Sequence, residues 1–274
     1  MRIYHLLAFL FLASTLFADF QLQQVDITIK NINKDGTVLV QETYQFVVKT
    51  PYSKSLYESI LNKNDLSSWS TTTGIKEMKL HVDPNTVDIA NFRVKPQPLK
   101  KCNPFVDTCR GEVVLEYMAL PFYNKSNHVL LPGTGVFSIS NQKPRTIRYV
   151  LNPQSLSFGS TDQSDPILDR ITFLNVEFPE NSLLLDLNPV PEDVELKIPS
   201  RIKILSWSNI ILVKFAVQFE VEESLDKEVT EFFTSLLRSL QESFNGGQGL
   251  ALILIVVILT GSYIYLRSKL KESS

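Results

Sequence analysis

The sequence contains few of the residues that usually carry chemistry at a metal or cofactor site. Among its 274 residues it has two cysteines and three histidines, which are His5, His81 and His128. His81 and His128 are scattered and have no acidic or cysteine partner at ligand spacing, so a metal site is a weak hypothesis. We expect no metal and no cofactor, and a surface or structural role for these two histidines.

Motifs for nucleophilic catalysis and for nucleotide binding are also missing. The sequence has no GxSxG elbow, and the run LPGTGVFS at residues 131–138 lacks the lysine of a P-loop, so it predicts a β-turn. Adjacent acids such as Glu192 and Asp193 lie in a proline-flanked run, and sequence alone cannot bring two acids to the distance that glycosidases need. We expect that the protein is not an enzyme, with an envelope hydrolase using acidic residues as an alternative.

The formal net charge is −2, and no basic patch argues for nucleic acid as a partner.

The N-terminal residues 1–18 have the three parts of a secretory signal peptide. Arg2 supplies the positive region, an apolar run of only about seven residues follows, and Ala18 is a plausible small residue before a cleavage site. Leu16 is larger than usual at its position, so the cleavage site stays open. An uncleaved N-terminal anchor is the alternative, although the apolar run is short for a bilayer span of about 20 residues.

A second apolar segment, residues 249–266, carries no charged residue and has about the length of a membrane span. Tyr263 and Tyr265 lie near its end, and Arg267, Lys269 and Lys271 follow it. The positive-inside rule then places a tail of residues 267–274 in the cytoplasm and the preceding chain outside. The sequence therefore predicts a type I single-pass protein of the cell membrane, with an integral span as its membrane contact.

The two cysteines, Cys102 and Cys109, both lie in the part of the chain expected outside the membrane, where disulfides persist. The six residues between them include Asn103, Pro104 and Asp107, which favour a tight loop. We expect one disulfide bond rather than a metal or redox pair, since CxxC spacing is absent. Asn124 begins an N-x-S sequon in a polar run and is a possible glycosylation site.

Between the two ends the chain is rich in predicted strands. Residues 24–32 and 37–48 alternate between apolar and polar positions around Asn33–Gly36, which predicts a β-hairpin. We predict a short helix at 53–62, a polar loop at 66–74, and strands at 75–82, 87–95, 111–120, 129–140, 146–151, 170–178, 182–187, 194–198 and 210–221. Turn residues every 8–12 positions indicate one or two β-sandwiches, divided into an N-terminal β-domain at 19–120 and a second at 121–221.

Residues 222–245 have the period of an amphipathic helix that precedes the apolar segment. Its apolar positions fall within roughly 140° of arc at about 100° per residue, and they are Leu225, Val229, Phe232, Phe233, Leu236, Leu237, Leu240 and Phe244. The polar face is acidic, which disfavours lying on anionic lipid. The apolar face is predicted either to pack on its own β-domain or to contact a protein partner or a second copy.

The opening run VDITIKNINKDGTVLVQETYQF, with its DG turn, V-x-E and aromatic strand, resembles the start of uncharacterised membrane-anchored extracytoplasmic proteins of prokaryotes. The run ENSLLLDLNPVPEDVELKIPSRIKILSWS has a similar character. The resemblance covers about half of the expected external part and implies a surface β-domain on a single-span anchor. It implies no activity and no functional residues.

These observations predict a mainly β fold, with one or two β-sandwich domains, an amphipathic juxtamembrane α-helix and one C-terminal transmembrane helix. The favoured function is a non-catalytic single-pass cell-envelope protein whose β-rich part binds or scaffolds partners. An accessory subunit of a membrane complex that processes secreted proteins or glycans is the main alternative.

Overall fold

The computed structural model describes residues 19–103, 105–124, 130–143, 145–163, 165–192 and 197–222, together with Thr234, Ser235 and Arg238. Several predicted features lie outside these residues: the predicted signal peptide at 1–18, the segments 249–266 and 267–274, and the eight apolar residues of the predicted helix at 222–245. The three isolated residues are helical. The described residues from 19 to 222 belong to one compact unit that ends at Glu222.

The described part of this unit contains twelve strands and two α-helices. The strands are β1 (Phe20–Lys30), β2 (Val38–Val48), β3 (Asp88–Asn103), β4 (Thr108–Leu120), β5 (Phe137–Lys143), β6 (Thr146–Leu151), β7 (Gly159–Ser160), β8 (Pro166–Glu177), β9 (Ser182–Asn188), β10 (Ser200–Arg201), β11 (Ile204–Ile211) and β12 (Ala216–Glu222). The helices are α1 (Pro51–Ile60) and α2 (Leu66–Thr73).

The strands form two sheets. The first has the order β11-β8-β1-β2-β4-β3, with β7 also paired to β8, and the second has the order β10-β9-β12-β6-β5. All pairs are antiparallel except β1 with β8. Because the first sheet takes strands from both sides of residue 120, the domain boundary placed there does not separate the two sheets.

The predicted hairpin of β1 and β2 is confirmed. Gly36 adopts a φ of +83°, and its N–H donates to the carbonyl of Asn33 at 3.1 Å, which closes the turn between the strands. One face of each strand is buried in the core, as the alternation predicts: Val25, Ile27, Ile29, Val38, Val40, Tyr44 and Phe46. Burying one such side chain stabilises a fold by about 1.5–3 kcal/mol.

The core continues from the first sheet into the second without a break. Phe219 on β12 is its aromatic centre there: it stacks on Tyr149 at 4.8 Å and meets Phe137 and Phe178 edge-on at 5.6 and 5.0 Å. Edge-on and offset contacts are the geometries that aromatic rings favour. One core therefore serves both sheets.

The predicted fold class requires a correction at its C-terminal end. No helix among the residues that the structure describes is long and apolar enough to cross a membrane, so the predicted transmembrane helix is not supported. The segment 249–266, on which that prediction rests, lies outside the described residues. The corrected fold is mainly β, with two sheets and two short helices in the described chain.

Residues 66–73 form helix α2, so the predicted loop is wrong. Asp65 caps the helix by accepting a hydrogen bond from the N–H of Ser68 at 2.7 Å, and Gly74 ends it in the left-handed region. Trp69 is fully buried, donates from Nε1 to the carbonyl of Lys63 at 3.1 Å, and meets Tyr57 edge-on at 5.3 Å. The sequence of this helix shows no clear apolar period of 3.6 residues, because most of its residues are Ser or Thr and only two positions are buried.

Several predicted strands also differ from the structure. Among its described residues the predicted strand at 129–140 is a strand only from Phe137 onward, and most of the predicted strand at 194–198 lies outside the described chain. Residues 75–82 form turns and bends instead of a strand. The carbonyl of Lys79 and the N–H of His81 are bonded to the side chains of Tyr44 and Glu42 on β2, and Val82 forms only an isolated bridge with Leu156. The predicted strand at 210–221 is two strands, since the chain leaves the first sheet after β11, turns at residues 212–215 and enters the second sheet as β12. The alternation of side chains continues through this crossing, so sequence alone did not reveal it.

Candidate functional site

The structure contains the predicted disulfide. Cys102 on β3 and Cys109 on β4 are joined with an S–S distance of 2.07 Å and a Cα–Cα distance of 4.0 Å, at the end of the hairpin that these strands form. Asn124 is exposed, while residues 125–129 of its loop, which include His128, lie outside the described chain. The eight apolar residues predicted to contact a partner also lie outside it, so their role stays a prediction.

The most unusual polar group in the core is the carboxylate of Glu42, which is not among the site residues predicted from the sequence. It lies on the buried face of β2 and has no exposed surface. Its Oε1 accepts from the backbone N–H of His81 at 2.8 Å and from the hydroxyl of Tyr117 at 2.5 Å. Its Oε2 lies 2.7 Å from the hydroxyl of Tyr44 and 2.8 Å from Nδ1 of His81. Both oxygens are therefore fully satisfied, as a buried carboxylate requires.

The surroundings of this carboxylate perturb the neighbouring tyrosines. Burial, followed by the charge of Glu42 and its hydrogen bond, raises the pKa of Tyr44 and of Tyr117 well above the ordinary value. An acid, an imidazole and two phenols within bonding distance could in principle transfer protons. However, Glu42, Tyr44 and Tyr117 have no exposed surface and His81 is buried as well, so a substrate has no access to the carboxylate in this structure.

The Glu42 cluster is therefore best interpreted as a structural clamp. It bonds the irregular segment 75–82 to β2 and β4, and the hydroxyl of Tyr44 also lies 2.5 Å from the carbonyl of Lys79. The sequence carried a signal for it, because Glu42 is the acid in an otherwise apolar row on the inward face of β2. In the described chain, no group of three or more His, Cys, Asp or Glu side chains could hold a metal ion.

The two edges of the first sheet differ in how well they are protected against pairing with another strand. At one edge, β3 carries Pro96 and Pro98, which donate no backbone hydrogen bond, together with Arg93, Lys95 and Lys100. Prolines and lysines on an edge strand are the usual devices that prevent another chain from adding to a sheet.

The strand at the opposite edge, β11, has none of these protective residues along its length. Its sequence ILSWSNII contains no charged residue and no proline, and in the described chain its only strand partner is β8. Leu205 and Trp207 are buried on the core side, and Trp207 donates from Nε1 to the carbonyl of Pro189 at 2.9 Å. The strand is therefore held firmly by its inward side chains while its outer edge stays open.

The positions at which β11 is hydrogen-bonded to β8 show which backbone groups of β11 face outward. The N–H of Phe178 donates to the carbonyl of Lys203 at 2.8 Å, and Leu205 pairs with Val176 two positions further along. Hydrogen-bonded positions alternate along an antiparallel pair, so Leu205 and Trp207 direct their backbone groups at β8. The N–H and C=O groups of Ile204, Ser206 and Ser208 consequently point away from the sheet. A bulge at Asn209 limits this open stretch to residues 204–208.

Apolar side chains and a cleft lie beside the open edge. Ile204 is 54% exposed and Ile211 is 47% exposed, one near each end of the strand. A cleft of about 660 Å³ adjoins the first residues of β11, between residues 177–182 and 201–204. The cleft shares Ile204 with the open edge, so an added strand would meet outward backbone groups beside an exposed apolar residue of the cleft. Only Ile210 and Ile211 of β11 fall within a predicted strand, although the run 204–211 carries no charged residue.

Comparisons with known proteins add a low structural likeness only. No protein-family model matches the chain, and no curated protein matches it. Among solved structures, yeast LTA4 hydrolase in complex with bestatin matches 77% of this chain and 30% of that chain, at 10% identity and a TM-score of 0.29. Native leukotriene A4 hydrolase from Saccharomyces cerevisiae matches 76% and 30%, at 9% identity and a TM-score of 0.28. The chain thus spans less than a third of the length of these neighbours, and scores this low carry no argument about function.

Proposed function

We propose that this chain is a non-catalytic binding or scaffold protein of the cell envelope that takes up an extended segment of a partner protein as an additional strand beside β11. The observation that supports this is the asymmetry of the first sheet. Prolines and cations protect one edge, whereas the edge at residues 204–208 presents three sets of outward backbone groups without a charge or a proline. Edge strands without protection are where strand addition occurs.

The energy of such a contact comes mainly from the backbone. Each new backbone hydrogen bond contributes about 0.5–1.5 kcal/mol net, and Ile204, Ser206 and Ser208 together offer several. Burial of the exposed surface of Ile204 adds an apolar term. Specificity would come from the partner side chains that reach the cleft between residues 177–182 and 201–204.

The non-catalytic part of the proposal rests on the enclosure of the Glu42 cluster. It is the acid–imidazole–phenol group of the described chain, and its four contacts already occupy both carboxylate oxygens. The location outside the cytoplasm is supported by the bond between Cys102 and Cys109, since structural disulfides persist in oxidising compartments.

The test compares two substitutions of one residue in the full chain. Ser206→Pro removes an outward N–H, while Ser206→Ala keeps that N–H and loses only the hydroxyl, which donates to Asn175 at 2.7 Å. Partners are cross-linked to the protein in its native cells and quantified after purification. We expect Ser206→Pro to lose the partner and Ser206→Ala to retain it, with unchanged near-ultraviolet circular dichroism in both. Equal retention by the two variants would contradict strand addition at β11.

A further inference from the structure

The tip of the β3–β4 hairpin exposes apolar side chains that nothing in the proposed function uses. Phe105 is 95% exposed and Val106 is 61% exposed, and they are adjacent in sequence. Single apolar residues on a surface are common, but two together at the tip of a hairpin are a candidate contact. The bond between Cys102 and Cys109 closes the hairpin directly behind them.

Three cations lie behind this tip. Lys100 on β3 is directly opposite Arg110 on β4, and Lys101 follows Lys100. Like charges directly opposite each other on neighbouring strands destabilise a sheet. None of the three forms an ion pair within the described residues, and Asp107, an acid close to the tip, is bonded to Lys54. The fold therefore tolerates an unfavourable arrangement of charge here, in a chain whose net charge is −2.

The same three cations line a cleft of about 390 Å³ on the outward face of the first sheet. Gln23, Gln24 and Gln45 line it as well, and Glu112 is the acid among its lining residues. A β-bulge between Leu22 and Gln24 locally shifts the register of this wall, which is a common way to redirect side chains near a site. Cationic and amide donors together suit a phosphate group that carries further hydroxyl or ester oxygens.

We propose that this hairpin docks on the surface of an anionic phospholipid bilayer. Phe105 and Val106 enter the boundary between headgroups and acyl chains, while Lys100, Lys101 and Arg110 bind lipid phosphates at the headgroup level. The apolar tip suits the acyl-chain boundary of a bilayer, and the cations behind it suit the layer of anionic headgroups above that boundary. A soluble polyanion would use the cations and leave the apolar tip in water, so a lipid surface fits the hairpin better.

The disulfide gives this contact a physical advantage. Because Cys102 and Cys109 restrain the hairpin, less conformational entropy is lost when the tip is immobilised on a surface. The membrane contact lies at the β3–β4 end of the first sheet, whereas β11 is the strand at its opposite edge. The two proposed contacts can therefore be tested independently.

The experiment uses the full chain carrying Phe105→Trp in vesicles of phosphatidylcholine with increasing fractions of phosphatidylglycerol. The two native tryptophans, Trp69 and Trp207, are buried, so the new residue supplies the signal from exposed indole. We expect its emission to shift to shorter wavelength and to be quenched by lipids with brominated acyl chains, increasingly with the anionic fraction. The matched control is Val213→Trp, an exposed position outside the hairpin, which should show neither effect.

Substitutions in the Phe105→Trp background separate the two parts of the contact. Each of Lys100→Gln, Lys101→Gln and Arg110→Gln should lower the apparent partitioning of the tip about fivefold. The exposed Lys76→Gln is the control and should leave it unchanged. Lys100→Gln should also raise the melting temperature, because it removes a like-charge pair. A residue with a purely structural role would not weaken membrane partitioning while raising the melting temperature.

Two outcomes would overturn the proposal. One is quenching of the residue at position 105 that is equal in neutral and anionic vesicles or insensitive to all three cation variants. The other is binding that depends on the cations but leaves the indole fully exposed to water, which would identify a soluble polyanion as the ligand instead of a membrane surface.

Discussion

The buried Glu42 cluster makes a quantitative prediction about stability that depends on its exact hydrogen bonds. In Glu42→Ala both acceptor oxygens disappear from a site without solvent access. Tyr44 keeps an acceptor, because its hydroxyl already lies 2.5 Å from the carbonyl of Lys79. The backbone N–H of His81 and the hydroxyl of Tyr117 keep none within the cluster, and each buried donor without an acceptor costs about 1–3 kcal/mol. We expect Glu42→Ala to lower the free energy of unfolding by about 4 kcal/mol.

Glu42→Gln should cost much less, although it removes the same charge. Its remaining oxygen can accept from the N–H of His81 and from Tyr117, while its amide group faces Tyr44 and Nδ1 of His81. Both of these neighbours can accept a hydrogen bond after a hydroxyl rotation or a change of tautomer. The loss is then mainly that of charge assistance, and we expect about 1–2 kcal/mol.

The assay is urea unfolding of the full chain, followed by the fluorescence of Trp69 and Trp207, for the parent and the two variants. Glu112→Gln serves as a matched control, because that acid lies on the outward face of β4 and is only half-buried. A cost below about 1 kcal/mol for Glu42→Ala, or equal costs for the two variants, would refute the interpretation of this cluster as a clamp.

Three further predictions concern other parts of the fold. Replacing Cys102 and Cys109 by serine should lower the free energy of unfolding by about 2–3 kcal/mol in the loop-closure model, measured by urea unfolding, and no loss would contradict a stabilising disulfide. Burial raises the pKa of Tyr57 to about 12, so the folded state binds this proton more tightly than the unfolded state does. Its contribution to stability is therefore complete below pH 10 and decreases as the pH rises from about 10 to 12, and Tyr57→Phe should flatten a plot of melting temperature over that range. Asp65→Ala should destabilise by about 1 kcal/mol through loss of the bond to Ser68, whereas Asp65→Asn should cost less, and equal losses would count against a capping role.

The sequence predicted the elements whose side chains alternate across a single buried face. The hairpin of β1 and β2, the strand β4 and the disulfide are examples, because period-two patterning and a short spacing of cysteines are local signals. Helix α2 was missed although Asp65 and Gly74 marked its ends, because its polar residues face solvent and only Trp69 and Thr73 are buried.

Features that depend on distant partners could not be derived in the same way. The parallel pairing of β1 with β8 and the crossing at residues 212–215 are set by the packing of the two sheets, and no periodicity reports which strands become neighbours. The candidate site at β11 could not be derived from the sequence for the same reason. Its composition was visible, but that the strand lies at an edge, and that Ser206 and Ser208 face outward, follows only from the register with β8.

The central claim is that the backbone of residues 204–208 is free to accept a strand, and amide hydrogen exchange resolved by residue tests it most directly. In the purified full chain, the amides of Leu205 and Trp207 should exchange slowly because they bond to β8, while those of Ser206 and Ser208 should exchange fast. In the complex with the cross-linked partner, Ser206 and Ser208 should become protected as well. If both serine amides are already protected in the free chain, or remain fast in the complex, the account of strand addition at β11 is contradicted.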